Sequence, residues 1–152
     1  KNGRIHETDA ANLKQLGEFI ENTFKYNLVD EAGITSIPPL DRWEKEPTVL
    51  RNDDYETYFM NEAGTNKLMI KINWIEKKKL NYLVLKEAIP FSQRVEKFKV
   101  CYEENGSMKE CYNGTTIGYK KIIDLKGIQT DFLAIVIEDS RVAPVMSFVG
   151  VY

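Results

Sequence analysis

The sequence predicts a mostly β protein, an antiparallel β-sandwich preceded by one α-helix. Helical spacing of apolar residues is confined to the first 26 positions, and short segments with a period of two follow it. No helix-period segment lies between those strands, and parallel strands would need such crossovers, so the strands are expected to pair antiparallel. With 152 residues, 43% of them apolar, the chain can bury one ordinary core.

The spacing predicts a helix from Thr8 to about Phe24, with Thr8 or Asp9 supplying the N-cap oxygen. One apolar stripe runs along it, formed by Leu13, Leu16, Phe19, Ile20 and Phe24. No second helix is predicted, so the stripe packs either on the sandwich or on protein outside this chain. The second alternative is favoured.

Residues 29–47 are predicted to be a connector, because Gly33, Pro38, Pro39 and Pro47 interrupt the pattern. A short first strand is expected around 32–36. The sandwich is assigned to 48–152, with strands predicted at 68–74, 80–85, 98–102, 116–125, 132–137 and 145–152.

Composition excludes several function classes. The net charge is −2 and the only basic run is 77–79, which argues against a nucleic-acid partner. No run of about 18 apolar residues is present, which argues against a membrane span. The only histidine is His6, and neither a nucleophile elbow nor a phosphate-binding glycine pattern occurs. Independent catalysis is therefore the weakest hypothesis.

The acidic cluster Asp53, Asp54 and Glu56 has two interpretations. Paired carboxylates suit a hard cation such as Ca²⁺, whereas a solvated loop is the more common role of surface acids.

Cys101 and Cys111 flank a turn that contains Asn105-Gly106. A three-residue loop would place the cysteines opposite each other, within disulfide reach. A two-residue Asn-Gly loop would shift the register by one residue and separate them. Two free thiols are the alternative to a disulfide.

Three residues are candidates for contact with a sugar, on the basis of residue type and expected loop position. Trp43 lies in the charged connector and offers a ring for the apolar face of a sugar, or else packs as an anchor. Arg94 and Arg141 would hydrogen-bond hydroxyl groups.

Two stretches carry a family resemblance: VLKEAIP at 84–90 followed by QRV at 93–95, and GTTIGYKKI at 114–122. In this order they resemble the C-terminal β-sandwich of the α-L-fucosidases, glycoside hydrolase family 29. The opening GRIHE at 3–7 is similar to the last helix of that family's catalytic barrel. Residues 52–54 with 57–59 resemble a stretch of galactose-binding-like, or discoidin-like, sandwiches.

The resemblance implies that the sandwich is a jelly roll. It also implies that residues 1–28 are the last helix of a catalytic domain, the rest of which lies outside this chain. It implies a non-enzymatic accessory domain that supports the barrel of the same parent chain and helps to shape its substrate entrance. The alternative is a carbohydrate-binding module that recognises fucosylated or galactosylated glycans. The family also implies a secreted, periplasmic or lysosomal location, which favours a Cys101–Cys111 disulfide.

Departures from the family pattern bear on the metal. Asn52 stands where an acid is common, and Phe59 stands where Trp is common. The last strand lacks a Glu that helps to bind Ca²⁺ in this superfamily. No cofactor or metal is therefore expected.

Overall fold

The computed structural model describes residues 5–37, 46–54, 56–60 and 64–152. They form one helix and seven strands: α1 (Glu7–Thr23), β1 (Gly33–Ile37), β2 (Phe59–Met60), β3 (Leu68–Glu87), β4 (Val95–Glu104), β5 (Ser107–Gly114), β6 (Lys121–Ser140) and β7 (Val145–Val151). The predicted mostly β fold behind one helix is confirmed. Short 3-10 turns occupy Leu28–Glu31, Pro47–Arg51 and Ile89–Phe91.

Two long strands build both layers of the sandwich. β3 and β6 have 20 residues each and pair antiparallel along most of their length. The first half of β3 pairs with β1 and with the second half of β6, which continues to β4 and β5. The second half of β3 pairs with β7, whose other edge carries β2. Each long strand therefore crosses from one layer to the other.

The core lies between the two layers and is filled by side chains that alternate inward along the strands. Its largest fully buried members are Phe59, Phe98, Leu50, Leu68, Ile70, Ile72, Leu80, Leu83, Leu85, Ile123, Leu125 and Leu133. The separate strands predicted at 68–74 and 80–85 are parts of one strand, and so are residues 121–125 and the strand predicted at 132–137. Residues 116–120 precede β6 and belong to a loop.

Where β3 crosses between layers, both long strands are irregular. The backbone amides of Asn81 and Tyr82 both donate to the Tyr152 carbonyl, at 2.6 and 2.8 Å, which marks a β-bulge. Opposite them, Lys126 and Gly127 have φ angles of 56° and 71°. We call this region the corner.

The helix α1 begins with His6 as its N-cap, whose Nδ1 accepts from the Thr8 amide at 3.3 Å. The prediction of Thr8 or Asp9 as the cap was wrong by two or three residues, because the imidazole of His6 serves as the acceptor.

The attachment of α1 to the sandwich is at its C-terminal end. No residue of α1 is buried, and the Phe24 ring contacts the rings of Tyr82 and Tyr152 at 5.6 and 5.0 Å. Beyond the helix, the Trp74 indole N–H donates to the Leu28 carbonyl at 2.8 Å. The helix therefore projects from the corner of the sandwich.

Candidate functional site

Three loops meet at one end of the sandwich, which we call the loop end. They are residues 88–94, 115–120 and 141–144, which connect β3 to β4, β5 to β6 and β6 to β7. The pairing of Leu85 with Lys121 and of Val95 with Ser140 places all three at the same edge of the fold.

A buried carboxylate ties two of these loops together. Glu87 is only 2% exposed. Its Oε1 accepts from the amides of Arg94 and Val95 at 2.7 and 2.9 Å, and its Oε2 accepts from the Gly118 amide at 2.6 Å. Gly118 has a φ of 67°, which glycine adopts without strain. The residues that carry the family resemblance thus hold the loop end in shape.

The structure brings Arg94 and Arg141 together, since the Arg141 amide donates to the Arg94 carbonyl at 2.9 Å. The guanidinium of Arg94 is largely engaged: its Nε donates to Phe91 O at 3.0 Å and its Nη1 donates to Ala143 O at 2.7 Å. It therefore fastens the third loop to the first.

The guanidinium of Arg141 is more accessible. Its Nε donates to Glu96 Oε1 at 2.7 Å, while 71% of its side chain stays exposed. Trp43, the third predicted sugar contact, lies outside the described residues. The roles of the three residues in sugar binding stay predictions.

One aromatic pair at the loop end was missed by sequence reasoning. The rings of Tyr58 and Phe91 are 4.6 Å apart, and Tyr58 is 36% exposed. Tyr58 belongs to the segment before β2 and Phe91 to the first loop, and no spacing in the sequence links them.

Two of the three carboxylates of the acidic cluster, those of Asp53 and Asp54, are engaged within the chain. Asp53 pairs with Lys86, whose ammonium lies 5.4 Å from the centre of the Phe148 ring. Asp54 Oδ1 accepts from the amides of Glu56 and Thr57 at 2.9 and 2.6 Å, and the bond to Thr57 is the main cause of its lowered pKa. Over the described part of the chain, no group of three or more His, Cys, Asp or Glu side chains is placed to hold a metal ion.

The hairpin that carries the cysteines has the two-residue Asn-Gly loop, since Glu104 pairs with Ser107. Cys101 consequently pairs with Glu110, and both thiols are free. Cys101 therefore does not pair directly with Cys111 in the ladder, and the disulfide stays a prediction. The Cys111 thiol instead donates to the Val100 carbonyl at 3.4 Å.

The two thiols are expected to differ in reactivity. Burial raises the pKa of Cys111 to about 11, and it raises the pKa of Cys101 as well. Because the thiolate is the nucleophile, iodoacetamide at pH 8 should label Cys101 faster than Cys111. Peptide mass spectrometry measures both rates, and labelling in urea is the control that should make them equal. Faster labelling of Cys111 in the folded chain would contradict the burial described here.

A groove of about 830 Å³ lies on the layer that contains β1. Its charged lining is paired within the protein: Glu138 contacts Lys97 and Lys99 at 3.0 and 2.8 Å. Asp139 accepts from the Asn66 amide group at 3.3 Å. This groove therefore offers few unoccupied polar groups.

No described helix has the length and apolar character required to cross a membrane.

Comparison with known proteins relates the chain to one enzyme family, although no family model matches it. A rice protein (Oryza sativa subsp. japonica) provisionally named α-L-fucosidase 1 is 26% identical, over 99% of this chain and 30% of that protein. The structure of a Ruminococcus gnavus GH29 fucosidase in complex with fucose superposes with a TM-score of 0.85 at 25% identity, over 99% of this chain and 31% of that chain. The chain thus spans about a third of the length of these relatives.

A fold likeness reaches beyond that family. Chitosan-binding module 1 of a Paenibacillus sp. IK-5 chitosanase/glucanase matches with a TM-score of 0.71 at 13% identity, over 84% of this chain and 98% of the module. At this identity the likeness concerns the fold alone.

Proposed function

We propose, from the premise that the chain matches the C-terminal part of the α-L-fucosidases of glycoside hydrolase family 29, that it is a non-catalytic accessory domain. In this proposal it supports the catalytic barrel of its parent enzyme and helps to shape the substrate entrance. The parent acts in a secreted, periplasmic or lysosomal setting. Catalytic residues belong to the part of the enzyme outside this segment.

The observation that carries the proposal is the uncovered apolar stripe of α1. Leu13, Leu16, Phe19 and Ile20 are 57%, 54%, 53% and 47% exposed. A helix of 17 residues is marginal in water unless such a stripe is covered. The relatives have about two thirds of their length outside the matched segment, and the barrel in that part is the occupant we assign to the stripe.

The polar chemistry of the loop end supports the same assignment. Glu87, Arg94 and Asp53 are each engaged with other groups of this chain. Such contacts hold a surface in a fixed shape, as a supporting domain needs.

The test uses the full-length gene product that contains this chain. It is expected to hydrolyse 4-nitrophenyl α-L-fucoside, whereas the 152-residue chain alone should not. The double substitution Leu16→Asp and Phe19→Asp should lower the Tm and the activity of the full-length protein, because it places charges in a buried interface. In the 152-residue chain the same change should barely alter the unfolding free energy, because both side chains are already exposed.

The matched control is Lys14→Asp with Glu18→Lys, which alters charge on an exposed pair of the same helix. This control should leave activity unchanged. Full activity and an unchanged Tm in the Leu16→Asp/Phe19→Asp enzyme would refute the docking of α1, and hydrolysis by the 152-residue chain would refute its non-catalytic role.

The second candidate is a carbohydrate-binding module, favoured by two features of the loop end, the exposed Arg141 side chain and the Tyr58–Phe91 pair. It predicts that a glycan array detects fucosylated or galactosylated ligands, and that Trp43→Ala and Arg141→Ala each weaken the binding. If no glycan on the array binds, the proposal of a supporting accessory domain remains.

A further inference from the structure

The corner contains a polar cleft that the loop-end site does not involve. It measures about 430 Å³, within the range of roughly 300–1,000 Å³ typical of small-molecule sites. The end of α1 forms one side, and the two irregular strand segments form the other. Its lining includes Asn22, Lys79, Asn81, Tyr82, Asp124 and Lys126.

The bulge gives the cleft its shape. In a regular strand, neighbouring side chains point to opposite faces. The bulge at Asn81 and Tyr82 breaks that alternation, and Asn81 is exposed while Tyr82 is half-buried beside it. The Tyr82 ring rests against Phe24, which fixes its position in the lining.

The facing strand carries backbone strain at the same place. Lys126 has a φ of 56°, a left-handed conformation that costs a non-glycine residue energy. The Asp124 carboxylate holds this turn by accepting from the Lys126 amide at 2.8 Å. A glycine would fit here without strain, and the side chain of Lys126 lines the cleft.

The polar side chains of the cleft differ from those of the loop end in having no internal partner. Among the described residues, no hydrogen bond or ion pair engages the side chains of Asn22, Lys79, Asn81 or Lys126. Two amides and two amines are therefore available on one surface, next to the Tyr82 ring and the Asp124 carboxylate.

This set of groups has a definite chemical preference. Amide groups both donate to and accept from hydroxyls, and an aromatic ring receives the apolar face of a sugar. The two lysines outnumber the one aspartate, so the cleft favours a ligand with a negative charge. We propose that the corner cleft binds a saccharide that carries an acidic group, with Lys126 and Lys79 contacting the anion.

The experiment is a ¹⁵N-amide NMR titration of the 152-residue chain with methyl β-D-glucuronide, with methyl β-D-glucoside and sodium sulfate as parallel probes. Saturable shifts are expected at Asn22, at Asn81 and across 124–127 with the glucuronide. The glucoside should bind about tenfold more weakly, because it lacks the charge-assisted contact.

The Lys126→Gly variant separates binding from folding. It removes the amine and relieves the left-handed strain, so its Tm should equal or exceed that of the parent chain. Its affinity for the glucuronide should fall about tenfold. Lys97→Ala, which removes a positive charge away from the corner, is the control and should retain full affinity.

Each other result overturns the proposal. Equal binding of glucoside and glucuronide removes the role of the lysines, and equal shifts with sulfate reduce the cleft to an anion site. Absent shifts, shifts confined to the loop end, or full affinity in Lys126→Gly show that the cleft does not take this ligand. None of these results bears on the docking of α1, which is tested separately.

Discussion

Replacing Glu87 by alanine is expected to destabilise the chain by about 3–5 kcal/mol, measured as the free energy of unfolding in urea. The carboxylate receives three backbone amides, from Arg94, Val95 and Gly118, in a site from which water is nearly excluded. An alanine leaves these donors without an acceptor, and each buried unpaired donor costs about 1–3 kcal/mol.

Two further substitutions make the test specific. Glu87→Gln keeps one oxygen for Arg94 and Val95 but turns an N–H toward the Gly118 amide, so about half of the loss is expected. Glu96→Ala removes an exposed carboxylate paired with Arg141 and should cost at most about 1 kcal/mol. If Glu87→Ala costs no more than Glu96→Ala, the carboxylate does not hold the loop end together.

The sequence predicted the strands where side chains alternate toward the core, because burial on one face imposes a period of two. It did not show that β3 is continuous, because its middle carries no such period. Ile75 is 99% exposed there, and Glu76 and Lys77 follow it. Pairing with β6 resumes at Lys78 through backbone hydrogen bonds. Such bonds do not depend on side-chain type, so the sequence does not reveal them.

The turn of the hairpin that carries Cys101 and Cys111 was predictable from the sequence. Asn-Gly is the residue pair that suits a two-residue turn with positive φ at both positions. The structure has φ angles of 54° at Asn105 and 75° at Gly106. The Asn-Gly pair therefore favours the register in which Cys101 lies opposite Glu110.

The candidate sites were less predictable than the fold. Arg94 and Arg141 were correctly expected to lie in loops, but the engagement of Arg94 by Phe91 and Ala143 depends on contacts between distant segments. The acceptor role of Glu87 was missed for the same reason, since a Glu in a strand pattern normally indicates an exposed position. Spacing along the chain does not encode such contacts.

Replacing Trp74 by alanine is expected to cost about 3–5 kcal/mol of unfolding free energy, since the side chain is 6% exposed and fills part of the core. Trp74→Phe should cost only about 1 kcal/mol, chiefly through loss of the hydrogen bond to the Leu28 carbonyl. The adjacent Ile75 is fully exposed, so Ile75→Ala is the matched control and should change stability by less than about 0.5 kcal/mol.

The phenylalanine variant also tests how the helix is held on the sandwich. The Trp74–Leu28 hydrogen bond and the contacts of Phe24 with Tyr82 and Tyr152 are separate attachments of the segment that follows α1. Amide exchange at 28–31 should therefore accelerate in Trp74→Phe while exchange in β3 and β6 stays slow. Unchanged exchange at 28–31 would mean that other contacts, among them the Val151 amide donating to Asn27 Oδ1 at 2.9 Å, fix the direction in which α1 projects.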